Sequence, residues 1–289
     1  MKKLGGPALA GVFLLFIACS IALGEAQQRE ETELNTLLME ATFQISGPGS
    51  LGTAFVIGRP TKKDPSRSWN VLVTAHHVLS DIKGPDAILQ LRRQSASGTW
   101  EVLGHSVKIR DGQRALWTKH PEADVACMFV PLPKDLLRSL LPTTLLVDDK
   151  TLKEFEIHPG DELNCLGYPL GPSGPFGFPI LRSGKIASYP LLPTKQTKTF
   201  LMDFRISPGN SGGPVYLVQS NRTFGGSSRL GMTIRMVMGL VSDEIRWKRE
   251  IQELYGKREE VHPLGIAEVI HASLILEAVM ALLEPSVEP

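Results

Sequence analysis

The chain has 289 residues, 42% of them hydrophobic and 21% charged, an ordinary composition for a packed globular protein that excludes a largely disordered chain. Thirty-one basic residues face 30 acidic ones, so bulk charge supplies no reason to expect nucleic acid as a partner. Three cysteines are too few for a disulfide-stapled scaffold or a paired-CxxC zinc site.

Lys2 and Lys3 are followed by no charged residue until Glu25, and Ala8 to Leu23 is almost continuously apolar. A positive start, an apolar run and the small residues of Ala22-Leu23-Gly24 read as a signal peptide over 1–24. The same stretch is long enough to serve as a membrane anchor, and Phe16-Ile17-Ala18-Cys19 resembles a lipobox that would lipidate Cys19. Cleavage is the favoured reading of the three. All place the domain outside the cytoplasm, in the periplasm, secreted or attached to a membrane. Export permits a disulfide between Cys127 and Cys165, although both lie in apolar strand-like runs where a buried thiol is equally at home.

Residues 25–40 are polar and acidic with a few leucines, a tether or short helix. From about Ala41 the texture changes to short β-type runs separated by Gly, Pro and polar clusters. Gly52–Ile57, Trp69–Thr74, Ala87–Arg92, Val102–Ile109, Asp124–Val130, Leu163–Leu166, Ile180–Ser188, Thr199–Phe204, Pro214–Gln219 and Val237–Ser242 all qualify. About ten short strands with no long helix between them indicate an all-β sandwich or barrel. The proline-bearing stretch from Pro131 to Pro159 is suited to connecting two β halves. Tyr168–Pro179 is half glycine and proline and is read as turn. In 244–262, ten of nineteen residues are charged, and Trp247, Ile251, Leu254 and Tyr255 fall at helical spacing with Gly256 placed as a stop. Residues 266–284 also read as helix, so a helical extension is expected over 244–289.

Three sites carry chemistry. Pro208-Gly209-Asn210-Ser211-Gly212-Gly213-Pro214 runs straight into an apolar strand. A serine hydroxyl needs a base and donors for an oxyanion, and flanking glycines let consecutive N–H groups stand beside it. In Val73-Thr74-Ala75-His76-His77-Val78 a strand ends in two histidines, each able to titrate near neutrality as a general base requires. Asp124 opens the apolar run Val125–Val130; it is either a turn residue or the carboxylate that orients a histidine.

The order His, Asp, Ser, joined by Gly52–Ile57, Leu166–Gly171, Arg182–Ile186, Asp203 and Gly239–Ser242, resembles the trypsin/chymotrypsin-fold serine proteases, in the HtrA/Deg-like bacterial branch. The likeness covers roughly Gly49 to Ser242. It implies two antiparallel six-stranded β-barrels, about 41–145 and about 155–243, within a protease domain over 41–289 that ends in a C-terminal helix. It also implies a serine endopeptidase acting on proteins or peptides through an acyl-enzyme, with His77 as base, Asp124 as orienting carboxylate and Ser211 as nucleophile. His76 is then a neighbour, and the N–H groups of Gly209 and Ser211 form an oxyanion hole. No metal or cofactor is called for. Two departures stand out. Asn210 replaces the aspartate that pairs with a newly cut N-terminus in digestive proteases, and no PDZ domain is expected after the barrel.

For substrate binding the resemblance points to Arg205, Ile206, Gly239 and Ser242. Arg205 either attracts an acidic side chain or turns away into an ion pair and leaves a small apolar pocket shaped by Ile206. The second is preferred, because a one-residue register change reverses a strand's faces. The 244–262 segment follows the pocket wall and is read as a solvated surface helix in preference to an exosite or a lid. The alternative function is a trypsin-fold binding protein that is catalytically silent or waits for an activator, and an esterase using the same acyl-enzyme is a third reading.

Overall fold

The computed structural model describes residues 33–133, 141–169, 174–228, 231–253 and 256–285. Internal contacts divide the chain into two units, Met1–Thr36 and Leu37–Pro289. Only the first turn of helix α1 (Glu33–Ala41) represents the former; the signal-peptide, anchor and Cys19 readings lie outside the described residues. Among those described, no helix is long and apolar enough to cross a membrane.

The second unit is built mainly of strands, in the order β1 Thr42–Gly47, β2 Ser50–Pro60, β3 Ser68–Ala75, α2 His76–Asp81, β4 Asp86–Gln94, β5 Trp100–Lys108, β6 Arg110–Asp111, β7 Arg114–Ala115, β8 Thr118–Lys119, β9 Val125–Phe129 and β10 Leu141–Pro142. There follow α3 Asp149–Glu154, β11 Glu162–Gly167, β12 Ile180–Ile186, β13 Thr199–Asp203, β14 Pro214–Ser220, β15 Thr223–Phe224, β16 Ser227–Ser228, β17 Thr233–Glu253, β18 Gly256–His271 and α4 Ala272–Ala281.

The second half closes into a barrel of six strands, β11-β12-β13-β18-β17-β14, as the resemblance implies. In the first half, eight strands form a sheet of order β5-β4-β1-β2-β3-β9-β8, with β10 alongside β2. Its path has two ends. β5 is mostly exposed and β8 has two residues, so neither edge offers the apolar face and length that would draw in a closing partner. The central strands β2, β3 and β9 are buried along most of their length, which is why they read as continuous apolar runs and not as alternation.

The helical extension expected over 244–289 is largely absent. Its first part is the outer arm of a long antiparallel ribbon, in which β17 pairs with β18 as far as Glu253↔Gly256; among the described residues of this stretch only Ala272–Ala281 is helical. The ribbon continues the hydrogen-bond ladder of two barrel strands, and opposite charges pair diagonally across it, as Lys248 does with Glu259 at 2.9 Å and Lys257 with Glu250. Of the apolar stripe that suggests a helix, Leu254 and Tyr255 lie outside the described residues. Trp247 is half exposed and stacks on the ring of His262 at 5.4 Å. Tertiary pairing overrides local helix preference here. Cys127 and Cys165 are free and buried, and burial pushes both thiols up to about 12; the disulfide is not formed.

Two buried arginines clasp helix ends. Arg59 on β2 is 2% exposed and donates Nη1 to the Val279 and Leu282 carbonyls at the end of α4, at 3.0 and 2.7 Å. Arg92 on β4 donates Nη2 to the carbonyls of Met39, Glu40 and Thr42 at the end of α1. Its Nη1 reaches the Tyr168 hydroxyl at 2.7 Å and the Gly177 carbonyl at 3.1 Å. The guanidinium lies against the rings of Phe43 and Phe178. A cation satisfies orphan helix carbonyls and the C-terminal end of the macrodipole together. Replacing Arg92 with leucine leaves several buried carbonyls without a donor, at 1–3 kcal/mol for each unsatisfied group. The expected loss is about 3 kcal/mol, read as a lower urea midpoint with an unchanged slope; Arg92→Lys recovers only part of it, because a point ammonium lacks the planar fork.

Candidate active site

The register of the first sheet brings His77 and Asp124 together. Antiparallel pairing of β3 with β9 matches Ala75 to Val125, so the residue after one strand lies beside the residue before the other. The ladder continues one step as His76 N–H donates to the Asp124 carbonyl at 3.1 Å. The chain then turns into α2, and His77 meets the Asp124 side chain twice. Its backbone N–H donates to Oδ1 at 2.9 Å, and ring Nδ1 stands 2.6 Å from Oδ2. Since a carboxylate accepts, Nδ1 carries the proton and Nε2 is left with a lone pair in the neutral ring. A third donor comes from the second half: Ser242 Oγ reaches Asp124 Oδ2 at 3.0 Å.

These bonds set the titration of both groups. Burial works against the Asp124 charge, but the hydrogen bonds from His77 and Ser242 and the attraction of the imidazolium outweigh it, holding the carboxyl below its usual value. The bond to Asp124 raises His77 above 6.5 against the opposing effect of burial. His76 moves the other way, lowered by burial and by Lys119; its ring faces Trp117 at 6.4 Å. Of the two adjacent histidines only His77 has a carboxylate on its ring.

Ser211 is placed by its backbone. Thr53 N–H of β2 donates to the Ser211 carbonyl at 2.9 Å, while Gly212 N–H donates to Val241 O and Val241 N–H to Gly213 O. Two glycines make this approach feasible. A Cβ on Gly52 would lie 2.6 Å from Val78 Cγ1 and 3.2 Å from the Ser211 carbonyl, so the histidine helix and the serine turn meet over that position. Gly212 has φ +85°, and a Cβ there would press into the Thr53 carbonyl and the Thr74 hydroxyl. Only glycine meets both demands. Among the described residues no hydrogen bond joins the Ser211 hydroxyl to the His77 ring; such contacts commonly tighten only with substrate present.

The turn before Ser211 divides its N–H groups. Asn210 and Gly213 donate within the turn, to Ser207 O and Asn210 O, whereas the N–H groups of Gly209 and Ser211 have no acceptor among the described residues. The Gly209 carbonyl accepts from Thr53 Oγ1 at 2.6 Å, and that same oxygen receives Tyr168 N–H at 3.2 Å. Thr53 thereby braces the turn against both halves. It stands in the Gly52–Ile57 motif, but the sequence shows no signal for this duty. Asn210 is buried, and its side-chain oxygen faces Gly167, where a Cβ would come within 2.6 Å.

The four residues expected to bind substrate have different surroundings. Arg205 is exposed and Ile206 is 5% exposed. The Arg205 carbonyl accepts from Arg182 Nη1 at 2.6 Å, and its guanidinium has no carboxylate partner among the described residues. The ion-pair half of the preferred reading is therefore not realised, while the turning-away half agrees with the exposure. Gly239 is enclosed in the barrel wall opposite His271, where a Cβ would strike the Ile270 carbonyl; it has no side chain to offer a substrate. Ser242 spends its hydroxyl on Asp124.

Comparison with known proteins follows this geometry. The model of the trypsin-like peptidase domain matches residues 45–225. Among solved structures, the chain is similar to an inactive form of the Rv3671c protease, at 16% identity over 85% of this chain and 90% of that one, with a TM-score of 0.41. It is similar to the thermostable serine protease AL20 of an extremophilic microorganism, at 11% identity over 84% and 96% with a TM-score of 0.46. The protease Anisep of Arthrobacter nicotinovorans aligns at 15% identity over 84% and 96% with a TM-score of 0.43. Among curated proteins no sequence matches the chain. The family match spans more than half of the chain, and the protein belongs to the trypsin-like peptidase domain family.

Proposed function

We propose that the protein is a serine endopeptidase that hydrolyses peptide bonds of proteins through an acyl-enzyme. The observation that carries this reading is the Asp124 carboxylate held at 2.6 Å from His77 Nδ1, beside the Gly-rich turn of Ser211. His77 Nε2 takes the proton of Ser211 Oγ as that oxygen attacks the peptide carbonyl. The tetrahedral oxyanion receives the N–H groups of Gly209 and Ser211, which the fold leaves unspent. The imidazolium, stabilised by Asp124, returns its proton to the leaving amine as the C–N bond breaks. Water, deprotonated by His77, then releases the acyl group from Ser211. The motifs beyond the triad support the HtrA/Deg-like branch, and the N-terminal sequence supports work outside the cytoplasm on protein or peptide substrates.

The second reading, an activator-dependent resting state or a silent binding protein, draws on the missing Ser211–His77 hydrogen bond. A fluorophosphonate probe separates the two, because it labels only an assembled, activated serine. Labelling of the wild type that disappears in both Ser211→Ala and His77→Ala supports the peptidase; absence of labelling in folded wild type supports the second reading.

The raised His77 value gives the pH dependence its sign. The base acts in its neutral form, so the rate of labelling should fall as pH drops through a midpoint above 6.5, the ordinary value for histidine. In Asp124→Asn the midpoint should move down and the limiting rate fall by at least tenfold, on the order of a lost general-base contribution; a pH–rate profile of both proteins measures it.

Thr53→Val removes the brace of the Gly209 carbonyl without changing volume much. Two buried backbone groups lose a partner, at a cost on the order of 1–3 kcal/mol in stability. If Thr53 positions the oxyanion turn, kcat should fall more than KM changes; a purely structural loss would lower the melting temperature and leave the kcat of the folded fraction alone.

A further inference from the structure

Helix α2, which starts where strand β3 ends, carries the base of the site. It has six residues, His76–Asp81, too few to persist without support from outside, since the first turn of a helix fixes several residues for one hydrogen bond. Its N-terminal end is served by Asp124, whose Oδ1 accepts His77 N–H at 2.9 Å. The C-terminal end is not closed by the helix itself. There is no basic residue in its last turn, and Ile82 at the C-cap is extended, with φ −64° and ψ 119°. A left-handed residue at the end would have returned the last carbonyls to backbone donors; here they need a donor from another part of the chain.

One side chain supplies it. Arg110 on β6 donates Nη2 to the Leu79 and Ser80 carbonyls, both at 3.1 Å, and Nη1 to those of Ile82 and Gly84, both at 2.7 Å. Its own backbone is fixed to the same turn, because the N–H groups of Ile109 and Arg110 both donate to the Pro85 carbonyl. The guanidinium lies 4.9 Å from the centre of the Trp117 ring, and that indole faces the His76 ring at 6.4 Å. Trp117 therefore backs the cation at the end of the helix and stands beside the residue at its start. Val78 and Leu79 are buried on the inner side. A carboxylate at the first turn and a guanidinium at the last also match the two poles of the helix dipole. Arg59 and Arg92 do comparable work for α4 and α1, but neither of those helices carries a group of the site.

We propose that Arg110 is a positioning residue of this site: by fixing the C-terminal end of α2 it sets where His77 stands between Asp124 and Ser211. A helix this short moves as a unit, so freedom at one end displaces the imidazole at the other. A displacement of about 1 Å can cost on the order of a hundredfold in rate. The effect on rate rests on the peptidase reading; the placement of the ring does not.

Two readouts decide it. In Arg110→Gln the limiting rate of fluorophosphonate labelling should fall roughly tenfold, with the probe concentration for half-limiting rate unchanged. The titration of the His77 ring, followed by NMR in Ser211→Ala, reads the geometry without turnover. The Asp124 bond holds its midpoint above 6.5, so adding Arg110→Gln should move that midpoint down as the bond loosens. Arg110→Lys restores the charge without the planar fork and should recover only part of both quantities; it carries the test alone if the glutamine variant does not fold. A lower melting temperature with the limiting rate and the His77 midpoint both unchanged assigns Arg110 to stability only and overturns the proposal. Labelling of the wild type that no Arg110 variant slows overturns Arg110 and leaves the peptidase standing. A His77 midpoint that follows Arg110 in a protein that takes no label removes the peptidase reading and leaves the positioning.

Discussion

One carboxylate organises this protein. Asp124 accepts from the backbone and the ring of His77, and from the hydroxyl of Ser242 in the other half of the chain. Three donors suffice to keep a partly buried acid ionised against its desolvation. In return they fix the tautomer of His77, the start of helix α2 and the seat of strand β17. The carboxylate thus joins elements separated by 118 residues, and the rest of the site is referenced to it.

The opposite wall is held by backbone. Thr53 and Val241 grip the residues on either side of the serine turn, and both grips require chains to approach closer than any side chain permits. Gly52 and Gly212 are therefore structural conditions for the chemistry. Their role is to exclude a Cβ where the two halves meet, as much as to supply conformational freedom. The hydroxyl of Thr53 adds a neutral brace between Tyr168 N–H and Gly209 O, so the turn that presents its N–H groups is set by hydrogen bonds and not by packing alone.

Further out, the fold holds its helices by carbonyl-seeking cations. Arg59 and Arg92 each take a helix C-terminus, and Arg92 also ties Tyr168 and Gly177 into the same knot. His120 makes a link to a helix of another kind, through a side chain. Its Nδ1 accepts Glu122 N–H, so Nε2 carries the proton and faces Glu277 of α4 at 3.4 Å. The loop leading to Asp124 is thereby linked to the C-terminal helix.

Much of this was legible in the sequence. The runs at Gly52–Ile57, Trp69–Thr74 and Asp124–Val130 are continuous apolar strands because both faces are covered, and composition alone reports that. His77, Asp124 and Ser211 are marked by local chemistry: a strand that stops at a base, a carboxylate before an apolar run, a serine among glycines. Pairing could not be read there. Whether β5 and β8 find partners depends on their edges in three dimensions, and whether 244–262 becomes helix or ribbon depends on the two barrel strands that feed it. The spacing of Trp247 and Ile251 is equally compatible with both. Ser242 and Thr53 acquire their meaning only from register, since a shift of one residue would turn each side chain to the other face. The sequence by itself determined the strand content and the identity of the reactive groups, because these follow from residue type and immediate neighbours. The tertiary structure alone decided which polar atoms are paired and which are left to a substrate, because pairing is a property of distant chain segments brought within 3 Å.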